Sequence, residues 1–256
     1  MKILVAFIAI CILVSLEISA SEITHDPIPF MLDKVKDHDV VLLGTTHNRP
    51  DILGFIAQLL PRLPYVGVTH IGLEIATDQQ VKIDRYIKEG KGLEDIEIFH
   101  AIDCPEYRHL LEIIRSYNLR PVALDLPHSM WETPNTRDQW MAKTLNSIFE
   151  EDQDSNIFVI AGNLHTIKKV EWLAPGIKDG VIRSYLSDLR PDLKVFSVVG
   201  CIDDSEEVCD FRKMFGGAKN PIAVETKDLD FKVGILGTIA AKPITAHEAV
   251  DAVIVY

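Results

Sequence analysis

The sequence VVLLGTTH at residues 40–47 decides the fold that we predict for this chain. A continuous apolar run of this kind is typical of a strand that is covered on both faces of a parallel sheet. The run ends at a glycine, and His47 follows three residues later. A near copy, IFVIAGNLH at residues 157–165, also ends at a glycine and leads to His165 in the same way. We therefore expect two similar strands, each with a histidine just beyond its carboxyl end.

Further strand-like runs alternate with helical patterns along the chain. Runs rich in valine and isoleucine occur at residues 39–44, 70–75, 121–125, 157–161, 195–200, 222–226 and 251–256. Apolar stripes at helical spacing separate the first four of these runs. The alternation predicts an α/β fold with a mostly parallel central sheet, flanked by helices and extended by C-terminal strands. We expect the final run, DAVIVY, to close the sheet.

Local signals predict where some of the helices begin and end. Asp78 is expected to cap a helix that stops at Gly90, since a glycine just past a helix tolerates the left-handed conformation. Asn135 or Thr136 is expected to cap a helix that begins at Arg137.

Polar side chains follow the carboxyl ends of four predicted strands, the edge at which open α/β sheets bind ligands. We expect His47, Glu74 and His165 to meet there in one cleft, with Arg137 supplied by a helix. These four are the candidate catalytic residues. The candidate ligand-binding residues are Gly44, Thr46, Asp125, Gly162 and Asn163. The two glycines are expected to supply unusual turn dihedrals and to let the backbone approach a ligand closely.

Two mechanisms are open for this set of residues. In the first, His47, Glu74 and His165 ligate a divalent metal that lowers the pKa of a bound water. In the second, Glu74 is a general base with a histidine partner. Arg137 would then stabilise a developing anion or pair with a substrate carboxylate. A single histidine at a strand end is more often structural, so it is the matched pair that favours function.

The N-terminus has the pattern of a secretory signal peptide over residues 1–20, with Lys2, an apolar run and a small-residue site at Ala20. We therefore expect an exported protein, periplasmic or extracellular, with a membrane anchor as the alternative if the leader is not cleaved. Residues 21–256 are expected to form a single domain without a further membrane-length run.

Charge and cysteine content narrow the classes of partner. The formal net charge of −12 and the lack of a basic patch argue against binding of nucleic acid or anionic lipid. Cys201 and Cys209 flank the acidic loop CIDDSEEVC, and we expect them to pair in an oxidising compartment. Cys104 is then expected to be a buried apolar residue rather than a nucleophile.

Several of these segments together resemble a known family. The matching pieces are VVLLGTTHNRPDI, HIGLEIATDQQVKID, PVALDLP, RDQWMA, VIAGNLH and DAVIVY, which span about residues 39 to 256. Their order is similar to that of the Tiki/TraB/erythromycin-esterase superfamily, and within it to the ChaN-like group of haem-binding, exported proteins.

The resemblance implies an α/β fold in which the two histidines and the glutamate cluster. Superfamily members include esterases, metal-dependent proteases and haem binders without established catalysis. Carried over to this sequence, the site is His47, Glu74, Arg137 and His165. Many relatives have a glutamate where this chain has Thr45, so one carboxylate that could ligate a metal or act as a base is missing. The lipoprotein cysteine of membrane-attached relatives is also missing.

Three function hypotheses follow from the residues and the resemblance together. The first is an exported, hydrolase-like enzyme, metal-assisted or not, that acts on an ester or amide of a small molecule or peptide. The second is a non-catalytic haem- or iron-binding protein of the ChaN type. The third is a structural or partner-binding domain in which the cluster is vestigial. The oligomeric state is not predicted.

Overall fold

The computed structural model describes residues 24–131, 136–172, 180–201, 221–230, 232–233, 242 and 244–256. The predicted signal peptide at residues 1–20 and Cys209 lie outside the described residues. Signal cleavage, the Cys201–Cys209 disulfide and the single domain over 21–256 therefore stay predictions.

The described helices begin and end as follows. The α-helices are α1 (Pro27–Asp37), α2 (Pro50–Leu59), α3 (Gln80–Glu89), α4 (Pro105–Ser116), α5 (Arg137–Glu151), α6 (Asn163–Thr166), α7 (Ile182–Leu189) and α8 (Ala246–Ala249). Short 3₁₀ helices lie at Leu60–Val66, Thr77–Gln79, Leu93–Asp95 and His128–Met130. Within the described part of the chain, no helix combines the length and apolar character needed to cross a membrane.

The strands alternate with these helices through the first half of the chain. They are β1 (Thr24–His25), β2 (Val40–Thr45), β3 (His70–Ala76), β4 (Arg120–Asp125), β5 (Ile157–Gly162), β6 (Val195–Cys201), β7 (Ile222–Glu225), β8 (Lys232–Val233), β9 (Ile244–Thr245) and β10 (Ala252–Val255).

One sheet of eight described strands forms the centre of the molecule, in the order β1-β7-β10-β6-β2-β5-β3-β4. From β10 to β4 every neighbouring pair is parallel, and β7 and β1 add antiparallel pairs at one end. This confirms the predicted fold class, including the extension by C-terminal strands. The prediction that DAVIVY closes the sheet was wrong, because β10 pairs with β6 on one side and with β7 on the other.

Alternation along the strands divides the core between the two faces of the sheet. In β2, Val41 and Leu43 pack in one apolar cluster with residues of α1 to α4. Val40 and Leu42 pack in another with residues of α5 and α7. All four side chains are buried. The continuous apolar run in the sequence therefore reflects a strand that is covered on both faces.

The helix ends agree with the sequence signals in two of three cases. The Thr136 side chain caps α5 by accepting a hydrogen bond from the Gln139 N–H at 3.2 Å. Gly90 ends α3 in the left-handed conformation, with φ of 73°. Asp78 does not cap α3, which has no side-chain cap. Its carboxylate instead accepts from the backbone N–H of His128 at 3.0 Å, and this bond ties two loops together at the site edge of the sheet.

Candidate functional site

The candidate site lies where four neighbouring parallel strands end. β2, β5, β3 and β4 are consecutive in the sheet, so their carboxyl ends form one continuous edge. Thr45 at the end of β2 lies beside Gly162 at the end of β5. Glu74 lies near the end of β3, which runs from His70 to Ala76, and Asp125 ends β4. Residues far apart in sequence are thus neighbours here.

Glu74 is fixed at the centre of this edge. The β3–β4 register shifts between Leu73 and Ala76, and an irregularity of this kind can redirect a side chain. The Glu74 side chain is only 3% exposed. Its Oε1 accepts a hydrogen bond from Nη2 of Arg137 at 2.5 Å, and its Oε2 accepts from the Gly162 N–H at 2.6 Å. Both carboxylate oxygens are therefore already engaged by protein donors.

The surroundings of Glu74 keep it ionised. Burial alone would raise the pKa of its carboxyl group, but the hydrogen bond and charge of His165, the charge of Arg137 and the Gly162 N–H together outweigh burial. They lower the pKa of Glu74 to about 2. A carboxylate with so low a pKa is a weak base, and this limits the proton chemistry that Glu74 can perform.

His165 lies between two carboxylates. It belongs to α6, the short helix that directly follows β5, and its side chain is 15% exposed. Its Nδ1 is 3.0 Å from Oδ2 of Asp138, and its Nε2 is 3.5 Å from Oε1 of Glu74. Burial would lower the pKa of His165, but hydrogen bonds with Asp138 and Glu74 and the charges of both raise it to about 10. The imidazole is therefore a cation at neutral pH.

Arg137, in the first turn of α5, pairs with two of the buried carboxylates. Its Nε donates to Asp125 at 2.9 and 3.1 Å, and its Nη2 donates to Asp125 and to Glu74, each at 2.5 Å. Burial would lower the pKa of Arg137, but these carboxylates raise it. No described residue accepts a hydrogen bond from Nη1, and the side chain is 35% exposed. Among the described residues, Nη1 is thus the one donor atom of the guanidinium that remains available to a ligand.

These side chains form what we call the ion-pair array. Its members in spatial order are Asp138, His165, Glu74, Arg137 and Asp125. Negative and positive groups alternate, and three carboxylates against two cations leave one net negative charge. Such an array is strongly coupled, since His165, Glu74 and Arg137 are each shared between two partners of opposite charge.

His47 lies beside this array but is not part of it. A Cβ atom added at Gly162 would lie 3.2 Å from Cε1 of His47, 3.3 Å from Oε2 of Glu74 and 3.6 Å from Cδ2 of His165. The three side chains therefore surround one point. His47 is exposed, and no described residue forms a hydrogen bond or ion pair with its side chain. It is the imidazole of the site that is open to solvent.

The two strand-end glycines are needed for space rather than for backbone conformation. Among the described residues the glycines with positive φ are Gly67, Gly90 and Gly92, so the prediction of unusual dihedrals at Gly44 and Gly162 was wrong. A Cβ on Gly44 would lie 2.5 Å from Oγ1 of Thr166 and 3.0 Å from the Cα of Asn163. The close approach of α6 to β2 therefore depends on the missing side chain.

Thr46 and Asn163, predicted as ligand-binding residues, contact each other. The Asn163 Nδ2 donates to Oγ1 of Thr46 at 3.1 Å and to the carbonyl oxygen of Gly200 at 3.2 Å. These bonds link the ends of β2, β5 and β6. The third predicted ligand-binding side chain, Asp125, is 2% exposed and bound to Arg137. The structure thus gives all three a part in holding the site together.

A cavity of about 240 Å³ opens beside Arg137, lined by Phe99, Leu126, Trp131 and Arg137. The aromatic residues were not singled out from the sequence, which carries no local signal for them. Asp138 was also missed as a site residue. A signal for it was available, because RDQWMA was recognised as one motif and Asp138 follows Arg137 directly.

The arrangement does not fit the proposed metal site. A metal bound by His47, Glu74 and His165 would need a free carboxylate oxygen and a neutral His165. Glu74 instead accepts from Arg137 and Gly162, and His165 is held as a cation. Within the ranges that the structure describes, no group of three His, Cys, Asp or Glu side chains is arranged to hold a metal ion.

Fold and site together define a class of α/β protein with an ionic cluster at the carboxyl edge of its sheet. Residues 31–133 match the model of the family described as "Haem-binding uptake, Tiki superfamily, ChaN". This match confirms the resemblance that the sequence motifs predicted, and it includes His47 and Glu74. Arg137 and His165 lie beyond the matched residues. No match was found among curated protein sequences.

Solved structures with the same fold include an erythromycin esterase and a haem-bound ChaN protein. A mutant of the erythromycin esterase EreC in its open conformation has a TM-score of 0.66 at 12% identity, covering 89% of this chain and 92% of its own. A succinoglycan biosynthesis protein has a TM-score of 0.68 at 13% identity, with 88% and 89% covered. The ChaN protein of Campylobacter jejuni, with cofacial haem bound, has a TM-score of 0.50 at 13% identity, with 89% and 91% covered. At these identities the likeness extends to the fold alone.

Proposed function

We propose that this protein hydrolyses an ester, with His47 as the general base and without a metal ion in the reaction centre. The observation that carries the proposal is the exposed imidazole of His47 beside a fixed ion-pair array whose guanidinium keeps one donor free. A base must be accessible to water and substrate, and a stabilising donor must be held in place before the reaction begins. His47 and Arg137 meet these two requirements.

The array supports a role for Glu74 other than that of a base. Its pKa of about 2 and its two engaged oxygens suit a residue that positions its neighbours. His165 is likewise a positioning residue, because both ring nitrogens face carboxylates. Neither residue needs to exchange a proton during the reaction. The array then serves as a rigid support for Arg137.

The chemical steps follow from this division of roles. Nε2 or Nδ1 of His47 takes a proton from a water molecule as the water oxygen attacks the ester carbonyl carbon. Nη1 of Arg137 donates a hydrogen bond to the carbonyl oxygen as negative charge develops on it. The C–O bond to the alcohol then breaks, and the imidazolium returns its proton to the departing oxygen. An ester suits a site with one mobile proton carrier better than an amide does, since an alcohol needs less assistance to leave.

Hydrolysis of benzyl acetate and ethyl acetate by the purified, chelator-treated protein tests the proposal, with released acid titrated at constant pH. We expect His47→Ala to lower kcat/KM by about 100-fold or more, the typical contribution of a positioned base. His109→Ala is the matched control, because His109 is also exposed and lies on α4 outside the site. Failure of the wild-type protein to hydrolyse any ester, or unchanged activity in His47→Ala, would overturn the proposal. Loss of activity on chelation would overturn its metal-free part.

Haem binding is the second candidate, favoured by the description of the matching family. The cavity beside Arg137 does not fit a haem group. Its described lining residues include no histidine or tyrosine to serve as an axial ligand, and its volume of about 240 Å³ lies below the usual range for ligand pockets. Absorption spectra during haem titration decide the matter: a Soret shift that saturates at stoichiometric haem supports this candidate over ester hydrolysis.

Export is part of the proposal, supported by the signal-peptide pattern at residues 1–20. N-terminal sequencing of the protein recovered from the medium or the periplasm tests it. We expect the mature chain to begin at Ser21. Recovery of a chain that begins at Met1 in the membrane fraction would favour the anchored alternative.

A further inference from the structure

We infer that the substrate is a small, uncharged ester with one flat aromatic ring, and that Trp131 and Phe99 bind this ring. The inference rests on the proposed ester hydrolysis and names the substrate class for that site. It is carried by the cavity in which these two aromatic side chains share a wall with Arg137. Because Arg137 lines the same cavity, a ring against that wall brings an attached ester group to the guanidinium.

The aromatic wall is held in a defined orientation. The Trp131 side chain donates from Nε1 to the carbonyl oxygen of Leu126 at 3.1 Å. One neighbour, His128, stacks on the indole with centroids 5.5 Å apart and an interplanar angle of 22°. The other, Phe99, meets it edge-on at 5.9 Å and 65°. Asp78 holds His128 in turn, through Nδ1 at 3.0 Å. Because these contacts already fix the Trp131 side chain, less conformational entropy is lost when a ligand binds.

The exposure of Trp131 is unusual for a side chain held in this way. The residue is 46% exposed although its ring has three contacts within the protein. Aromatic residues in such positions recur at binding sites, where one face packs on the protein and the other receives a ligand. Trp131 borders the same cavity as Arg137. A ligand ring can therefore contact an aromatic surface and a cation together.

The electrostatics of the site disfavour an anionic aromatic substrate. The ion-pair array carries one net negative charge, and the whole chain carries −12. The carboxylate of Asp78 adds a further acidic group behind His128. A substrate carboxylate would compete with Asp125 and Glu74 for a guanidinium that they already neutralise. A neutral carbonyl oxygen needs only the one free donor.

The size of the cavity limits the substrate to a small molecule. Its volume of about 240 Å³ is below the roughly 300–1,000 Å³ of pockets that enclose drug-sized ligands. One ring with an attached ester fits this scale, whereas a fused or macrocyclic ring system does not. Benzyl acetate is the simplest compound with the required features.

A matched pair of esters tests the inference. Benzyl acetate and cyclohexylmethyl acetate both release a primary alcohol, but only the first has a flat ring. We expect the wild-type kcat/KM to favour benzyl acetate by about 3- to 10-fold, the usual value of an aromatic pair beyond its buried area. Trp131→Ala should bring the ratio to within about 2-fold of unity, and Trp131→Phe should restore part of the preference.

Tyr117→Ala is the matched control, because Tyr117 is an aromatic residue of similar exposure, 45%, outside the cavity. It should leave the ratio unchanged. The 4-carboxybenzyl ester should react about 5-fold or more slowly than benzyl acetate, since its charge meets the acidic array. An equal wild-type rate on both rings, or a preference that survives Trp131→Ala, overturns the aromatic assignment while ester hydrolysis stands. Preference for the carboxylated ester overturns the neutral-substrate assignment. Hydrolysis of ethyl acetate but of none of these esters overturns the substrate class alone. Hydrolysis of none of them, ethyl acetate included, overturns the proposed function itself.

Discussion

The two glycine–histidine strand ends have the same sequence pattern and opposite surroundings. β2 and β5 are parallel neighbours, with Thr45 beside Gly162, so His47 and His165 leave the sheet at the same edge. His165 is 15% exposed and lies between two carboxylates, whereas His47 is exposed and has no ion pair among the described residues. A shared motif therefore does not imply a shared role. The neighbouring strands and helices decide which imidazole is locked and which one is open to solvent.

The difference follows from what each histidine has beside it. The N-terminus of α5 brings Asp138 to His165, and β3 brings Glu74. Asp138 also accepts from the Ile182 N–H at 3.1 Å, which fixes it to the start of α7. Among the described residues, no carboxylate forms an ion pair with His47. His165 is thus held by its neighbours, whereas His47 stays exposed at the same edge, as the proposed general base requires.

The largest effect is expected from His165→Ala, which should lower the free energy of unfolding by about 3–5 kcal/mol. The substitution removes the cation that Glu74, which is buried, and Asp138, which is half-buried, share. Urea unfolding monitored by circular dichroism measures the change. A loss below about 1 kcal/mol would mean that the array is not strongly coupled, and the contrast between the two histidines would fail.

Between about pH 6.5 and 10, wild type should lose a few kcal/mol of unfolding free energy that His165→Ala does not lose. The folded protein keeps a proton on His165 up to a pKa of about 10, against 6.5 for the ordinary side chain. The stabilisation is therefore complete below about pH 6.5 and is lost as the pH rises toward 10. The slope should reach at most about 1.4 kcal/mol per pH unit.

At acidic pH, the unfolding free energy should depend on Glu74, whose pKa is lowered from 4.5 to about 2. Its contribution is present above about pH 4.5 and is lost as the pH falls toward 2. Unfolding free energies measured across both ranges test these signs. A wild-type curve parallel to that of His165→Ala between pH 6.5 and 10 would contradict the assignment of a cationic His165.

Alanine substitutions at Gly44 and Gly162 should have different effects on stability and on ester hydrolysis. Gly44→Ala should cost about 1–3 kcal/mol of stability, because the new Cβ meets backbone and short side chains of α6. Gly162→Ala should cost less than about 1 kcal/mol, since its contacts at 3.2 to 3.6 Å are with the ends of side chains. It should nevertheless lower ester hydrolysis by about 10-fold, because those side chains are His47 and Glu74.

Gly54→Ala in α2 is the control for both glycine variants. A Cβ there meets nothing within 4 Å, so alanine should leave stability unchanged or raise it by about 0.5–1 kcal/mol. Equal destabilisation by Gly44→Ala and Gly162→Ala would show that the two strand ends are packed alike, contrary to the structure.

The smallest effect on stability is expected from His47→Ala, within about 0.5 kcal/mol of wild type. The side chain is exposed and contributes no hydrogen bond within the described residues. Thermal and urea unfolding should therefore match wild type even where ester hydrolysis is lost. A destabilisation comparable with that of His165→Ala would show that His47 is a structural residue, and the assignment of a free base would be withdrawn.

The amino-acid sequence by itself determined the layered α/β fold and the edge at which polar groups gather. Its apolar runs, helical stripes and strand-end glycines are local patterns, and local patterns are enough to predict elements and their order. They were also enough to nominate Glu74, Arg137 and both histidines. They did not predict that β10 would lie inside the sheet, since strand order depends on pairing between distant segments.

Only the tertiary structure decided the roles within the site. The motif RDQWMA pointed to Asp138 but not to its partner, and no local signal marked Trp131. Their contacts with His165 and the cavity arise from packing of α5 and the loop after β4. The pKa values of Glu74 and His165 likewise depend on burial and on partners remote in sequence. A side chain's chemistry is set by the charges and solvent around it, and these are known only when the chain is folded.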